Sequence, residues 1–228
     1  MSAIAAIPLC FAEHEGRGIT VAVVDSGINF NHPHLALSGR GFVVVREEEG
    51  LVIQPGAHAD RYGHGTCCAA LLHALAPAAA IMAVRVTSDR PTTDAERLAR
   101  GIVLGAEEGA NILLVPLGTQ TVLTLVKEAV SFALGRGAAV VAPLPGPGVQ
   151  PGCLPGVLGA QVRDGVDVAL DGAGALWADG HAREAPGQRS NFYGPSLSAA
   201  RVAAALARFA EARQSLDLQD FKKTLPVL

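Results

Sequence analysis

Ile19-Thr-Val-Ala-Val-Val-Asp25 is an unbroken run of β-branched and small apolar residues that ends on a carboxylate and breaks at Ser26-Gly27. A run apolar at nearly every position, rather than at alternate ones, describes a strand covered on both faces. Such a strand belongs in a parallel sheet between two layers of helices, and that requirement constrains the rest of the chain. The pattern recurs over Gly41–Val45, Ile81–Val86, Asn111–Gly118 and Ala138–Ala142. Helical spacing fills Thr93–Glu108, closed by Gly109, and Val122–Leu134, closed by Gly135. Val157–Val162 and Val166–Leu170 add short strands, and residues 172–189 read as irregular. Ser215 is the expected cap of a last short helix that runs through Leu225. The alternation predicts an α/β fold, a parallel β-sheet flanked by helices on both faces. With no repeat or linker in view, one domain over 1–228 is expected, with 1–15 an N-terminal extension and 214–228 a short C-terminal helix.

A chain of 228 residues with 50% hydrophobic content can bury a substantial core. The net charge of −3, without a basic block, points away from nucleic acid and from an anionic membrane surface. Glu47-Glu48-Glu49 is the one like-charge run and reads as a solvated turn. Charges, Gly and Pro interrupt each apolar stretch before it reaches membrane-spanning length. Residues 1–10 are apolar but carry no positive flank, which makes a poor signal peptide. Cys10, Cys67, Cys68 and Cys153 show no paired spacing, so reduced thiols and a cytoplasmic location are expected.

Four groups could carry chemistry. Asp25 sits where an open α/β sheet gathers its functional groups, at the carboxyl end of a strand, although a turn-forming aspartate looks the same. His64, between Gly63 and Gly65, precedes a helical run. The helix dipole there would disfavour its charged form and keep it able to accept a proton; an ordinary turn histidine also fits. Ser196 follows Gly194-Pro195 at the start of an Ala-rich helix that extends to about Arg213. Proline suits a first helical position, and the free N–H groups beside Ser196 suit either a helix cap or a nucleophile whose attack creates an oxyanion. His32-Pro33-His34 has a metal-ligand look but no further ligands nearby, and His58 and His73 read as structural.

Taken together, Val23-Val24-Asp25-Ser26-Gly27, Gly63-His64-Gly65-Thr66 and Gly194-Pro195-Ser196 resemble the three active-site motifs of the subtilisin-like serine peptidases, in that family's order Asp, His, Ser. The resemblance runs from about Gly16 to the C-terminus, through His32-Pro33 and the stretches Leu75–Val86, Gly101–Gly118 and Leu154–Gly159, and Cys68 falls where proteinase K-like members carry a cysteine. It implies a subtilisin-like fold and a serine endopeptidase in which Ser196 attacks, His64 relays the proton and Asp25 orients the imidazole. Leu117 and Gly118 would form the edge that pairs with an extended peptide or protein substrate. The Leu117 and Ala142 segments, with Leu144, would wall an apolar specificity pocket. The mechanism requires no cofactor or metal; structural calcium, as in many relatives, is possible, but the sequence does not place its sites. Oligomeric state is left open.

The departures fall around the oxyanion hole. The family's Ala-Gly-Asn stretch is Ala142-Pro-Leu-Pro-Gly146 here, without the asparagine donor. Pro195, Ala200 and Arg201 replace a threonine, a proline and a histidine. Losing one oxyanion donor lowers turnover by about 10²–10³-fold. The Ser196 backbone N–H remains, and a backbone N–H of Leu144–Gly148 or the Asn191 amide is the expected second donor. Three activities are therefore carried forward: a cytoplasmic endopeptidase narrow in substrate, a pseudo-peptidase that only binds peptides, and a peptide ligase or cyclase. Residues 1–10 could restrain activity by lying across the cleft.

Overall fold

The computed structural model describes residues 11–56, 58–88, 92–121, 123–183 and 192–228. The expectations for residues 1–10, Val122 and Asn191 lie outside these. Strand β1 (Thr20–Asp25) lies in the interior of a sheet of order β3-β2-β4-β1-β5-β6-β7-β9-β8 among the described residues. The other strands are β2 (Arg40–Glu47), β3 (Gly50–Pro55), β4 (Ala80–Arg85), β5 (Ile112–Leu114), β6 (Ala139–Pro143), β7 (Leu158–Val162), β8 (Val168–Leu170) and β9 (Leu176–Ala178), and β1 pairs with β4 and β5. From β2 across to β9 every pairing is parallel. At each edge one antiparallel strand, β3 or β8, folds back on its neighbour.

The continuous apolar run of β1 has the predicted consequence. Val21 and Val23 enter one core, with α1 (His64–Leu75) and α4 (Pro195–Arg213). Ala22 and Val24 enter the other, with α2 (Ala95–Glu107) and α3 (Thr124–Gly135). α4 is buried from Leu197 to Ala207, which explains its many alanines: small side chains let a helix lie close against a sheet. β1, α1 and α4 thus meet at the carboxyl edge of the sheet, where Asp25, His64 and Ser196 all lie.

Four sequence expectations are corrected. The strand expected over Asn111–Gly118 covers only Ile112–Leu114, because Pro116 has no N–H to continue the ladder. β3 and β9 appear where no strand was assigned, β9 inside the stretch read as irregular. The last helix, α5 (Leu218–Thr224), is capped by Asp217, whose carboxylate accepts from Gln219 and Asp220 N–H; Ser215 Oγ accepts from Asp217 N–H one turn earlier. Glu47 ends β2 and Glu48-Glu49 make the turn into β3, in line with the solvated reading.

Candidate active site

His64 Nδ1 lies 2.7 Å from Asp25 Oδ2. Asp25 is 1% exposed, and its other oxygen accepts the Ser26 N–H, so the carboxylate is held from two directions. Ser26 Oγ in turn accepts the Gly65 N–H at 3.0 Å, tying the end of β1 to the start of α1. The approach is close enough that a Cβ on Gly65 would stand 2.2 Å from the Gly27 carbonyl oxygen, so only glycine fits. Gly63 enters the helix with φ +94°, again a glycine conformation.

Asp60 completes this corner and was not singled out from sequence. Its Oδ1 accepts the N–H groups of Tyr62 and Gly63, and its Oδ2 accepts both the N–H and the hydroxyl of Thr66. The carboxylate thus satisfies free N–H groups at the start of α1 from four residues before it. An aspartate placed just ahead of a glycine-initiated helix was the available signal.

The protonation expectation for His64 is corrected. Burial disfavours the imidazolium, but the Asp25 hydrogen bond and charge, with the Asp60 charge behind them, outweigh it and hold the pKa above the usual 6.5.

Ser196 occupies the second position of α4, after Pro195 at the helix start. Its hydroxyl donates to the Pro116 carbonyl at 2.8 Å, and among the described residues it makes no hydrogen bond to His64. The segment ahead of it is fixed by Gly194 N–H to Gly180 O, by the Tyr193–His181 bridge, and by Tyr193 hydroxyl to Asp164. Behind it, Ser198 Oγ donates to Ala178 O, and Arg201 donates to the carbonyls of Asp179 and His181. Arg201, 7% exposed, is also 3.5 Å from the Asp179 carboxylate. The residue that departs from the family pattern therefore clamps α4 to the loop after β9.

Leu117 and Gly118 line a cavity of about 310 Å³ together with Asp25, Tyr62, His64, Thr87 and Pro116. Ala142 is fully buried in the α2/α3 core, and Leu144 packs against Gly159. The Leu144 N–H is engaged by Ala160 O, and Pro143, Pro145 and Pro147 have none. Within that loop the N–H groups left for an oxyanion are those of Gly146 and Gly148. His32 and His34 stand ring to ring at 5.1 Å beside His64's helix; His58 packs on Phe30, and burial chiefly lowers its pKa, as it does that of His73.

Two groups of described residues have metal-ligand spacing. In one, Cys68 stands beside the Asp25–His64 pair, and burial first, then the Asp25 charge, keeps its thiol protonated. The other is Asp164, Asp179 and His181. It does not suit calcium, which takes six to eight oxygens. Both Asp179 oxygens already accept N–H groups, from Gly165 and His181, and the Arg201 guanidinium adjoins them.

A sequence model of the Subtilase family matches residues 16–142, more than half of the chain and inclusive of Asp25 and His64. The chain belongs to the subtilase family. It is 33% identical over 138 residues to thermitase of Thermoactinomyces vulgaris, 56% of this chain and 47% of that protein. To subtilisin Savinase of Lederbergia lenta it is 31% identical over 136 residues, with the same coverage. The chain thus spans about half the length of these curated relatives. Among solved structures, a cold adapted subtilisin-like serine proteinase superposes with a TM-score of 0.72 at 19% identity, covering 92% of this chain and 81% of that one. The S41 psychrophilic protease does so with 0.73 at 20%, covering 92% and 82%. At these identities the two structures establish the fold, subtilisin-like and α/β. Ser196 lies beyond the matched residues 16–142, so its assignment stands on its motif and its position on α4.

Proposed function

We propose that this subtilase is a serine endopeptidase in which Asp25, His64 and Ser196 form the catalytic triad. The observation that carries the reading is the 2.7 Å Asp25–His64 contact at the start of α1, with Ser196 in the first turn of α4 at the same sheet edge. The contact to Asp25 places the Nδ1 proton and leaves Nε2 as the base. Rotation of the Ser196 hydroxyl away from the Pro116 carbonyl brings its proton to that nitrogen as Oγ attacks the substrate carbonyl. The tetrahedral oxyanion receives the Ser196 N–H and, from the loop after β6, the N–H of Gly146 or Gly148. His64 then protonates the leaving amine, the acyl ester remains on Ser196, and water releases it with His64 again as base. The substrate is a peptide or protein lying along Leu117–Gly118, and a narrow range is part of this reading. The three described cysteines, Cys67, Cys68 and Cys153, are free thiols, which supports a cytoplasmic setting.

One observation favours a second reading, a peptide-binding pseudo-peptidase: the Ser196 hydroxyl is paired with Pro116 rather than with His64. Cleavage of a mixed peptide pool, read by mass spectrometry, separates the two. The peptidase reading expects defined new termini that vanish with Ser196→Ala; an intact pool with both proteins rejects it.

A further inference from the structure

A second cavity lies across His64 from the Leu117–Gly118 edge. It measures about 220 Å³ and is walled by the Asn29–His34 loop, the first turns of α1, Arg183 and Phe192. Phe192 stands edge-on to the His64 ring, 5.5 Å between centroids, and so borders both the catalytic imidazole and this cavity. In the peptidase reading, on which this inference rests, the acyl half of the substrate follows Leu117–Gly118. The leaving amine takes its proton from His64 and departs toward Phe192.

The polar groups of the cavity present a surplus of donors, with Arg183 as the cation of the lining and Asp60 as its carboxylate. Arg183 donates one N–H to the His34 carbonyl at 3.2 Å, and among the described residues no carboxylate pairs with it. His32 Nδ1 accepts the His34 N–H, which puts the proton of the neutral ring on Nε2 as an outward donor. Asn29 Oδ1 accepts the Asn31 N–H, and among the described residues its NH₂ group makes no hydrogen bond. The carboxylate in the lining, Asp60, has both oxygens engaged by Tyr62, Gly63 and Thr66. The Cys67 thiol, pushed up to about 11 by burial and then by the charges of Asp25 and Asp60, adds no negative charge.

We propose that this cavity takes a carboxylate on the leaving side of the cleaved bond, with Arg183 as its cationic partner and His32 and Asn29 as further donors. A guanidinium anchored by one N–H keeps further N–H groups for such a partner, and charge-assisted bonds of this type are the strong ones. The carboxylate belongs either to an acidic side chain or to the free C-terminus of a short leaving segment. Both present the same chemistry to the cavity.

Three peptides share the acyl half Ala-Ala-Val-Leu and differ after it: Gly-Glu-amide, Gly-Gln-amide and Gly-Gln with a free C-terminus. kcat/KM is read from the released segment by mass spectrometry, and binding of the same peptides to Ser196→Ala is read by calorimetry. One or both carboxylate peptides should exceed Gly-Gln-amide by about tenfold or more in each readout, the size of one charge-assisted hydrogen bond. Which of them does so identifies side chain or terminus. Arg183→Gln should erase the ratio within a single protein sample, and Arg183→Lys should keep part of it. Equal values for the three peptides, a ratio unchanged in Arg183→Gln, or no binding of any peptide overturns the proposal. Binding with the expected ratio but no cleavage overturns the peptidase reading and leaves the carboxylate site standing.

Discussion

Replacing Asp60 with asparagine tests how the start of α1 sets the chemistry of His64. Asp60 accepts four hydrogen bonds, from Tyr62 N–H at 2.9 Å, Gly63 N–H at 2.8 Å, Thr66 N–H at 2.9 Å and the Thr66 hydroxyl at 2.6 Å. Asparagine keeps one acceptor oxygen, turns the other position into a donor facing donors, and removes the charge from the helix N-terminus. Loss of the cap, the charge-assisted bonds and the dipole interaction together should destabilise the protein by about 2–3 kcal/mol. For a chain of this length that lowers Tm by roughly 4–12 °C. The same change removes one of the charges that hold His64 above its usual pKa, so the His64 titration must move down. NMR of the His64 Cε1–H signal against pH, with thermal unfolding of both proteins, measures the two effects. A His64 titration that stays in place or moves up, with Tm unchanged, would refute the reasoning.

Activity should rise with pH through the His64 titration and its acid limb should lie above pH 6.5, because the base must be neutral; kcat/KM against pH checks this. The stability contribution runs the opposite way: a raised pKa stabilises fully below the unfolded value of 6.5 and is lost as pH rises through the folded value, which urea midpoints compared with those of His64→Ala would show. Asp25→Asn should lower kcat by about 10⁴-fold with the fold retained, and a loss under tenfold would remove Asp25 from the triad. Gly65→Ala places a Cβ 2.2 Å from the Gly27 carbonyl and should destabilise by about 1–3 kcal/mol in urea unfolding; native stability would mean that α1 does not dock as described.

Most of the fold was legible because burial on both faces leaves continuous apolar runs, as in Val21–Val24 and Val140–Ala142. The strands that escaped, β3 and β9, are short or half-exposed and near the sheet edges, where neither a continuous run nor clean alternation is required. The end of β5 was misjudged for a local reason: the apolar pattern continues through Val115-Pro116-Leu117, but Pro116 breaks the ladder. Asp25, His64 and Ser196 were readable as motifs, since each sits where a strand ends or a helix begins. Their protonation was not readable. The helix dipole is visible in sequence, whereas the Asp25 carboxylate that raises the His64 pKa comes from 39 residues away. His32 and His34 drew notice as a metal pair, while the partner that gives their cavity its charge, Arg183, stands 149 positions after His34.

The central claim is that Ser196 is a nucleophile served by His64 and Asp25, and active-site labelling tests it most directly. A fluorophosphonate probe, followed by intact-mass measurement and peptide mapping, should add one label on Ser196, faster as pH rises from 6 to 9. The label should be absent in Ser196→Ala and strongly slowed in Asp25→Asn. No labelling anywhere between pH 6 and 9, or a label that persists in Ser196→Ala, would contradict the account.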